Sequence, residues 1–305
     1  MLLTRPPQSF FCVLFFLWIL SGNTQTLRTS ISQKPVRPAD SQVEDILQKL
    51  TPEEKFRQLF MCDGDLLIGR KELAAGIFGL RPVDQAPLQT DRLQKSDQGC
   101  GPACRMANRI NQMQDFFLNE TRAGIPVVPF DEALHGLMQD GATSFPQAIG
   151  LAATFDTSLM HQVARAIAAE TRSRGIRQVL SPVLNIARDV RWGRTEETYG
   201  EDPYLVSLMG HAFVSEISKA GIIATPKHFA VNVGDGGRDS YPVHYSHRLM
   251  EELYFPAFRV AVREAGAMSV MTAYNSFDGI PCTSNSWLLN DKLKRDWSLI
   301  GRAHV

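Results

Sequence analysis

Residues 156–189 read DTSLMHQVARAIAAETRSRGIRQVLSPVLNIARD, and this stretch indicates the fold class. Its first half predicts a helix, because Asp156 is a preferred N-cap residue and Gly175 is a common helix end. The apolar residues on one face of that helix are Leu159, Val163, Ala164, Ile167 and Ala168. The second half, from Gln178, is a continuous apolar run, which is typical of a buried strand. The stretch therefore predicts one helix–strand unit of an α/β protein.

Similar apolar runs recur along the chain between amphipathic helices. The predicted strands are GIFGL (76–80), IPVVPF (125–130), AIGLAAT (148–154), QVLSPVLNIA (178–187), GIIATP (221–226) and AMSVMTAY (267–274). Their continuous apolar character indicates parallel strands that are covered on both faces. So many units favour a (β/α)8 TIM-type barrel over two small doubly wound domains. Because such a barrel needs eight strands, we expect residues 45–297 to form an incomplete one.

Two further helices are predicted, one from capping residues at its start and one that contains a proline. TPEEKFRQLF has Thr51 as N-cap, Pro52 in the first helical position and Glu54 completing a capping box. HRLMEELYFPAFRVAVREAG contains Pro256, which predicts a kink.

The first residues have the layout of a secretory signal peptide. Arg5 precedes the apolar run Phe10–Leu20, which is short for a stable membrane anchor, and small and polar residues follow. We predict a signal peptide over residues 1–24, a leader over 25–44, and a periplasmic or extracellular location. The 32 basic and 32 acidic side chains balance, which argues against nucleic acid or an anionic membrane as partner.

The cysteines beyond the predicted signal peptide are Cys62, Cys100, Cys104 and Cys282. In an exported protein Cys100 and Cys104 could form a local disulfide around the Gly-Pro turn, although spacing does not fix the pairing. A metal site is the weaker interpretation of CGPAC, because no histidine lies near it. His244 and His247, near Glu251, could bind a metal, but a solvated helix start is the better interpretation.

Side chains that could do chemistry follow the predicted strands, where barrels of this kind hold their reactive groups. IPVVPF runs into DEALHG, which places Glu132 and His135 at a strand end, beside Asp131. Lys227 and His228 come directly after GIIATP. Taken alone, Glu132 and His135 could equally be the charged start of a helix.

The loop after residues 178–187 carries several arginines and carboxylates, and the last strand ends at Met271 and Tyr274. We interpret Arg188, Glu196 and Glu197 as a surface salt-bridge network. Arg194 is different, because it would share one barrel face with the groups named above. These residues are Glu132, Arg194, Lys227 and His228. A carboxylate, a guanidinium, an ammonium and an imidazole around one pocket favour a polyhydroxylated ligand, since charged groups make strong hydrogen bonds to hydroxyls.

Several motifs resemble the N-terminal domain of family 3 glycoside hydrolases, which are β-glucosidases, β-xylosidases and related exo-acting enzymes. They are EALHG, FPQAIGLAATFD, SPVLNIARDVRWGRTEETYGEDP, PKHFAVN and SVMTAYNSFDGIPCTSNSWLLNDKLKRDW, and they fall in the family's order. The resemblance implies a TIM-type barrel and a retaining mechanism on β-linked glucosides, xylosides or oligosaccharides. It implies neither a metal nor an organic cofactor.

The resemblance also implies roles for individual residues. Glu132 and Arg194 would bind hydroxyls of the non-reducing sugar, and Lys227 and His228 would bind further hydroxyls. Met271 and Tyr274 would line the same sugar pocket.

The end of the sequence departs from the family pattern. Arg295, Asp296 and Trp297 match the family, which continues with a Gly-Phe lead-in, a strand and the Ser-Asp pair that holds the nucleophile. Here residues 298–305 read SLIGRAHV, so we expect an aberrant tail without that strand and a chain that lacks the nucleophile and is inactive alone. The alternatives are a non-catalytic sugar-binding protein and, from another class, an aldolase with Lys227 as Schiff-base nucleophile.

Overall fold

A computed structural model describes residues 38–64, 66, 69–82, 99–234, 239, 241–299 and 302–304. The chain forms two compact units, one made of Met1–Leu80 and Met113–Val127, the other of Arg81–Gln112 and Val128–Val305. The predicted signal peptide and most of the predicted leader lie outside the described residues. The end of that leader is helical, because residues 38–44 belong to the first helix.

The first unit contains short elements around a small apolar core. Its elements are α1 (Pro38–Lys49), α2 (Pro52–Arg57), β1 (Met61–Asp63), most of β2 (Gly79–Arg81) and the end of α3 (Pro102–Asn119). The core residues are Leu73, Ile77, Leu80, Met113, Phe116, Phe117 and Val127. The predicted capping box is confirmed: the Glu54 amide donates to Thr51 Oγ1 at 3.2 Å, and the Thr51 amide donates to Glu54 Oε2 at 2.8 Å. Hydrogen bonding from Arg122 lowers the pKa of Glu54 to about 2.

Short parallel strands dominate the second unit. They are β3 (Val128–Asp131), β4 (Gln178–Val179), β5 (Ile223–Ala224), β6 (Lys227–Phe229) and β7 (Ser269–Thr272). β4 pairs in parallel with β3 and β5, and β6 pairs in parallel with β7. Val183 also bridges to Lys227, which ties the segment after β4 to β6. The α/β class with parallel strands is therefore confirmed.

The helices of this unit cover the strands with apolar side chains. They are α4 (Ala148–Ala152), α5 (Thr157–Ser173), α6 (Pro203–Lys219), α7 (His247–Leu249, continued by a π-helical turn, Met250–Tyr254), α8 (Pro256–Arg263) and the π-helical segment Trp287–Asp296. Helix α6 packs against both α5 and α8. Fully buried contacts come from Ile167 on α5, Phe213 on α6 and Phe258 on α8. The regular helix restarts at Pro256, as the predicted kink requires.

One predicted strand is wrong, and another is much shorter than predicted. Within the predicted strand 148–154, Ala148–Ala152 form helix α4, because a short alanine-rich run with one β-branched residue fits a helix. In the predicted strand 178–187, only Gln178 and Val179 join the ladder. Pro182 follows closely and has no amide hydrogen to donate, which limits the pairing.

The tail also differs from the prediction. Arg302–His304 form β10, which pairs in parallel with β7, with Arg302 opposite Ser269. The expectation of no strand after Trp297 is therefore wrong. The preceding Leu299 is 6% exposed, and its amide donates to the Leu293 carbonyl at 2.9 Å. The remaining strands are β8 (Ser276–Phe277) and β9 (Ile280–Pro281), which form an antiparallel pair.

Within the part of the chain that the structure describes, no helix is both long and apolar enough to cross a membrane.

The N-cap of α5 gives a direct test of how the sequence specifies this unit. Asp156 accepts a hydrogen bond from the Leu159 amide at 2.9 Å, as predicted. We expect Asp156→Ala to lower the free energy of unfolding by about 1 kcal/mol, because a helix-end amide loses its acceptor. Urea unfolding followed by circular dichroism measures the change. Asp156→Ser is the matched control, since serine also caps; an equal loss in both variants would contradict this account.

Candidate functional site

A cavity of about 600 Å³ lies at the end of β3 and the start of β6 in the second unit. Its lining comes from the segment after β3, from the loop after β4 and from β6. The lining residues are Glu132, Leu134, His135, Gly136, Leu137, Met138, Gln139, Ala142, Thr143, Ser144, Arg194, Glu197 and Lys227. Three of the predicted site residues, Glu132, Arg194 and Lys227, therefore share one cavity.

The centre of the cavity is an ion pair between Glu132 and Lys227. Lys227 Nζ donates to Glu132 Oε1 at 2.7 Å and to Glu132 Oε2 at 2.8 Å. The Lys227 side chain is 3% exposed and that of Glu132 is 25% exposed. Burial lowers the pKa of Lys227 and raises the pKa of Glu132, and the attraction between the two groups opposes both shifts. The pair is therefore held by mutual charge compensation away from water.

Arg194 is buried and oriented by two carboxylates. Its Nε and Nη2 atoms donate to Glu197 Oε1 and Oε2 at 2.8 and 2.7 Å, and its Nη1 lies 3.4 Å from Asp239 Oδ1. Burial opposes the charged form, but the contacts with Glu197 and Asp239 together outweigh it and raise the pKa of Arg194. The interpretation of Glu197 as part of a surface network is wrong, because it lines the cavity and its side chain is 14% exposed.

His228 is buried beside the cavity, and Asn185 fixes its orientation. The His228 amide donates to Asn185 Oδ1 at 2.9 Å, and Asn185 Nδ2 donates to the His228 carbonyl at 3.0 Å. The Nδ1 atom of His228 also lies 3.0 Å from Asn185 Oδ1. Tyr274, half exposed, has its ring centroid 6.2 Å from that of His228, and Met271 is buried on β7. These three predicted site residues are close to β6 but are not among the cavity-lining residues.

The segment after β3 is a folded loop and not a helix start, so that interpretation of Glu132 and His135 is wrong. His135 and Phe145 close the loop: the Phe145 amide donates to the His135 carbonyl at 2.7 Å, and His135 Nδ1 lies 2.8 Å from the Phe145 carbonyl. Gly136 has φ of 136°, and a Cβ there would lie 2.2 Å from the Thr143 carbonyl oxygen. Only glycine fits this position, which keeps the cavity wall tightly folded.

Several polar residues of the site were missed at the sequence level. Asn185, Glu197 and Asp239 were not predicted as site residues, yet each orients a predicted one. Asn185 had a usable signal, because it is a polar residue within an apolar run. No local sequence pattern indicates Glu197 or Asp239, because their contacts with Arg194 depend on how the loop folds.

The cysteines and the histidine pair fall outside the cavity. Cys100 and Cys104 form a disulfide, and burial raises the pKa of Cys282 to about 11. His244 lies 3.3 Å from Asp278, and the ring of His247 stacks on Trp287. Among the described residues, no group of three or more His, Cys, Asp or Glu side chains could hold a metal ion.

Removal of Lys227 tests the central ion pair. We expect Lys227→Met to lower the free energy of unfolding at pH 7 by about 3 kcal/mol, because Glu132 is left as a buried charge without its partner. The loss lies at the low end of the usual range, since Glu132 is partly exposed to the cavity. Urea unfolding at pH 7 measures it.

Lys219→Met is the matched control for that variant. Lys219 lies 2.8 Å from Glu216, but its side chain is 66% exposed. We expect a change below about 1 kcal/mol, because the Lys219 ammonium is solvated and the buried Glu216 keeps its contacts with His161 and Arg165. Similar losses of free energy of unfolding in the two variants would show that the Lys227–Glu132 pair contributes no more stability than the Lys219–Glu216 contact.

Comparison with known proteins identifies the family of the chain. Residues 103–302 match the family model described as the glycosyl hydrolase family 3 N-terminal domain. A β-xylosidase from Formosa agariphila is 40% identical over 208 residues, which cover 62% of this chain and 28% of that protein. A periplasmic β-glucosidase from Salmonella typhimurium is 31% identical over 271 residues, with coverage of 86% and 32%.

A solved structure also resembles the chain. The β-glucosidase of Erythrobacter marinus superposes with a TM-score of 0.73 at 33% identity, covering 87% of this chain and 35% of that one. The chain spans about a third of the length of these relatives. The relatives are glycoside hydrolases, and the chain belongs to glycosyl hydrolase family 3 through the N-terminal domain of that family.

Proposed function

We propose that the protein acts as an exo-acting, retaining β-glucosidase or β-xylosidase, and that the cavity binds its non-reducing sugar. The observation that carries the proposal is the convergence of Glu132, Lys227 and Arg194 on one cavity. A cavity of about 600 Å³ is ample for one pyranose ring. The relatives named β-glucosidase and β-xylosidase support the choice of sugars.

The charged groups suit sugar hydroxyls, which both donate and accept hydrogen bonds. Glu132 offers carboxylate oxygens as acceptors, and a hydroxyl that donates to it forms a charge-assisted bond. Lys227 has three N–H donors, of which Glu132 accepts two. Arg194 has five, and its carboxylate partners fix the plane of the guanidinium. Neighbouring hydroxyls on one face of a pyranose could therefore contact all three groups.

His228, Met271 and Tyr274 complete the proposed site. Lys227 and Met271 are opposite each other in the parallel pair β6–β7, so Met271 lies beside a residue that lines the cavity. His228 follows Lys227 directly, and its ring lies near that of Tyr274. On this proposal the half-exposed Tyr274 packs against the apolar face of the sugar, as aromatic rings do in wet sites.

The proposed reaction is retaining hydrolysis, and the proposed architecture is a TIM-type barrel. Retaining enzymes use two carboxyl groups about 5–5.5 Å apart, one as nucleophile and one as acid/base. We assign neither role within residues 1–305; the side chains described above bind and orient the sugar at the anomeric carbon. Export to the periplasm or the cell exterior remains part of the proposal.

Sugar binding by the 305-residue chain tests the proposal. We expect saturable binding of methyl β-D-glucopyranoside or methyl β-D-xylopyranoside, measured by ligand-detected NMR and by calorimetry. Glu132→Gln should weaken that binding about tenfold, because a neutral amide replaces a charged acceptor. Unfolding curves establish that each variant is folded.

Glu252→Gln is the matched control. Glu252 also pairs with a cation, since Arg248 Nε donates to it at 2.8 Å, but the pair is on an exposed helix. We expect wild-type affinity from this variant. A folded wild-type chain that binds neither glycoside, or a Glu132→Gln variant of unchanged affinity, would refute the proposed subsite.

A further inference from the structure

Asp131 is a buried carboxylate directly before Glu132 that the proposed sugar contacts do not use. It is the last residue of β3, and its exposure is 0%. Its backbone is fixed by the ladder: Asp131 is opposite Val179, and its carbonyl accepts from the Leu180 amide at 2.9 Å. The side chain therefore starts from a rigid point next to the cavity.

The Asp131 carboxylate accepts hydrogen bonds from three different parts of the unit. Its Oδ1 accepts from Arg81 Nε at 2.8 Å and from the Glu132 amide at 2.8 Å. Its Oδ2 accepts from Gln139 Nε2. Burial raises the pKa of Asp131, and these three donors oppose that shift. Arg81 supplies the counter-charge that keeps a buried carboxylate tolerable.

Two of those donors are the ends of one segment of the cavity wall. Glu132 begins the segment and Gln139 ends it, and both line the cavity. The Glu132 carbonyl also accepts from the Met138 amide at 2.9 Å, so the segment closes on itself. Asp131 thus accepts hydrogen bonds from both ends of this segment, Glu132 and Gln139, while the Glu132 side chain pairs with Lys227.

We propose that Asp131 is a positioning residue for the sugar subsite, holding Glu132 against Lys227 and securing the cavity wall through Gln139. The inference rests on the proposed function of the cavity. Stability alone does not explain a charge here, because well-packed apolar residues commonly stabilise a core as well as a buried ion pair does. A carboxylate is needed to accept from three donors at once.

The proposal carries an electrostatic consequence that a purely structural role lacks. Lys227, Arg81 and Asp131 face Glu132 directly, and Arg194, Glu197 and His135 line the same cavity. Burial is the main cause that raises the pKa of Glu132, Lys227 and Arg81 lower it, and the negative charge of Asp131 raises it. Loss of that charge lowers the pKa of Glu132, so its charged form persists to lower pH.

The experiment compares Asp131→Asn and Asp131→Ala with Asp140→Asn and Asp140→Ala in the 305-residue chain. Asp140 follows Gln139 but is exposed, 3.9 Å from Arg105, and does not line the cavity. The first measurement is binding of methyl β-D-glucopyranoside and methyl β-D-xylopyranoside against pH. The second is the pH titration of the Glu132 side-chain carboxyl carbon by NMR without sugar.

We expect Asp131→Asn to remain folded and to bind sugar about tenfold more weakly at neutral pH, because a neutral amide with one accepting oxygen replaces a charged carboxylate with two. Asp131→Ala should bind more weakly still. In Asp131→Asn the acid limb of binding and the Glu132 titration both move to lower pH, whereas the Asp140 variants match the wild type.

Unchanged affinity together with an unchanged Glu132 titration in folded Asp131→Asn would overturn the inference. Weaker binding without any shift of the titration would also overturn it, because that result describes a structural role only. If the wild-type chain binds no sugar, the proposed function fails, and the Glu132 titration still decides whether Asp131 acts on Glu132.

Discussion

The ion pair between Lys227 and Glu132 is the constraint on which the site depends. The two residues are far apart in the chain, one on β6 and the other directly after β3, yet Lys227 Nζ contacts both carboxylate oxygens of Glu132. An ammonium with 3% of its side chain exposed is costly without a partner. The end of β3 and the start of β6 are therefore held close together, and the cavity forms beside the ion pair.

Other charged groups of the site are compensated in the same way. Arg194 is held by Glu197 and Asp239, and Asp131 is neutralised by Arg81. His228 is fixed by Asn185 through hydrogen bonds in both directions. Because each group is oriented before a ligand arrives, binding needs little rearrangement, which suits the proposed recognition of several sugar hydroxyls. The same compensation keeps a polar cavity stable inside an α/β unit.

Local signals in the sequence predicted much of this unit. Asp156 caps its helix because a carboxylate can accept from the Leu159 amide, and Pro256 interrupts the helix that begins at His247 because it has no amide hydrogen. The joint position of Glu132, Lys227 and Arg194 followed from the rule that parallel strands end at one face. These features depend on contacts between residues close in the chain, or on the general rule that parallel strands end at one face.

The features that were missed depend on tertiary neighbours. Residues 148–154 are apolar enough for either a strand or a helix, and packing decides between them. β10 forms because its backbone pairs with the edge of β7, which no side-chain pattern in Arg302–His304 indicates. The charged sequence around Glu197 is typical of a surface loop, and the burial of Glu197 depends on how that loop folds Arg194 into the cavity.

A crystal structure of the 305-residue chain soaked with methyl β-D-xylopyranoside or methyl β-D-glucopyranoside would locate the bound sugar. We expect a sugar in the cavity with hydroxyl oxygens within about 3.2 Å of Glu132, and of Arg194 or Lys227, while the Glu132–Lys227 pair stays intact. A sugar bound elsewhere, or a cavity without sugar at saturating concentration, would contradict the account.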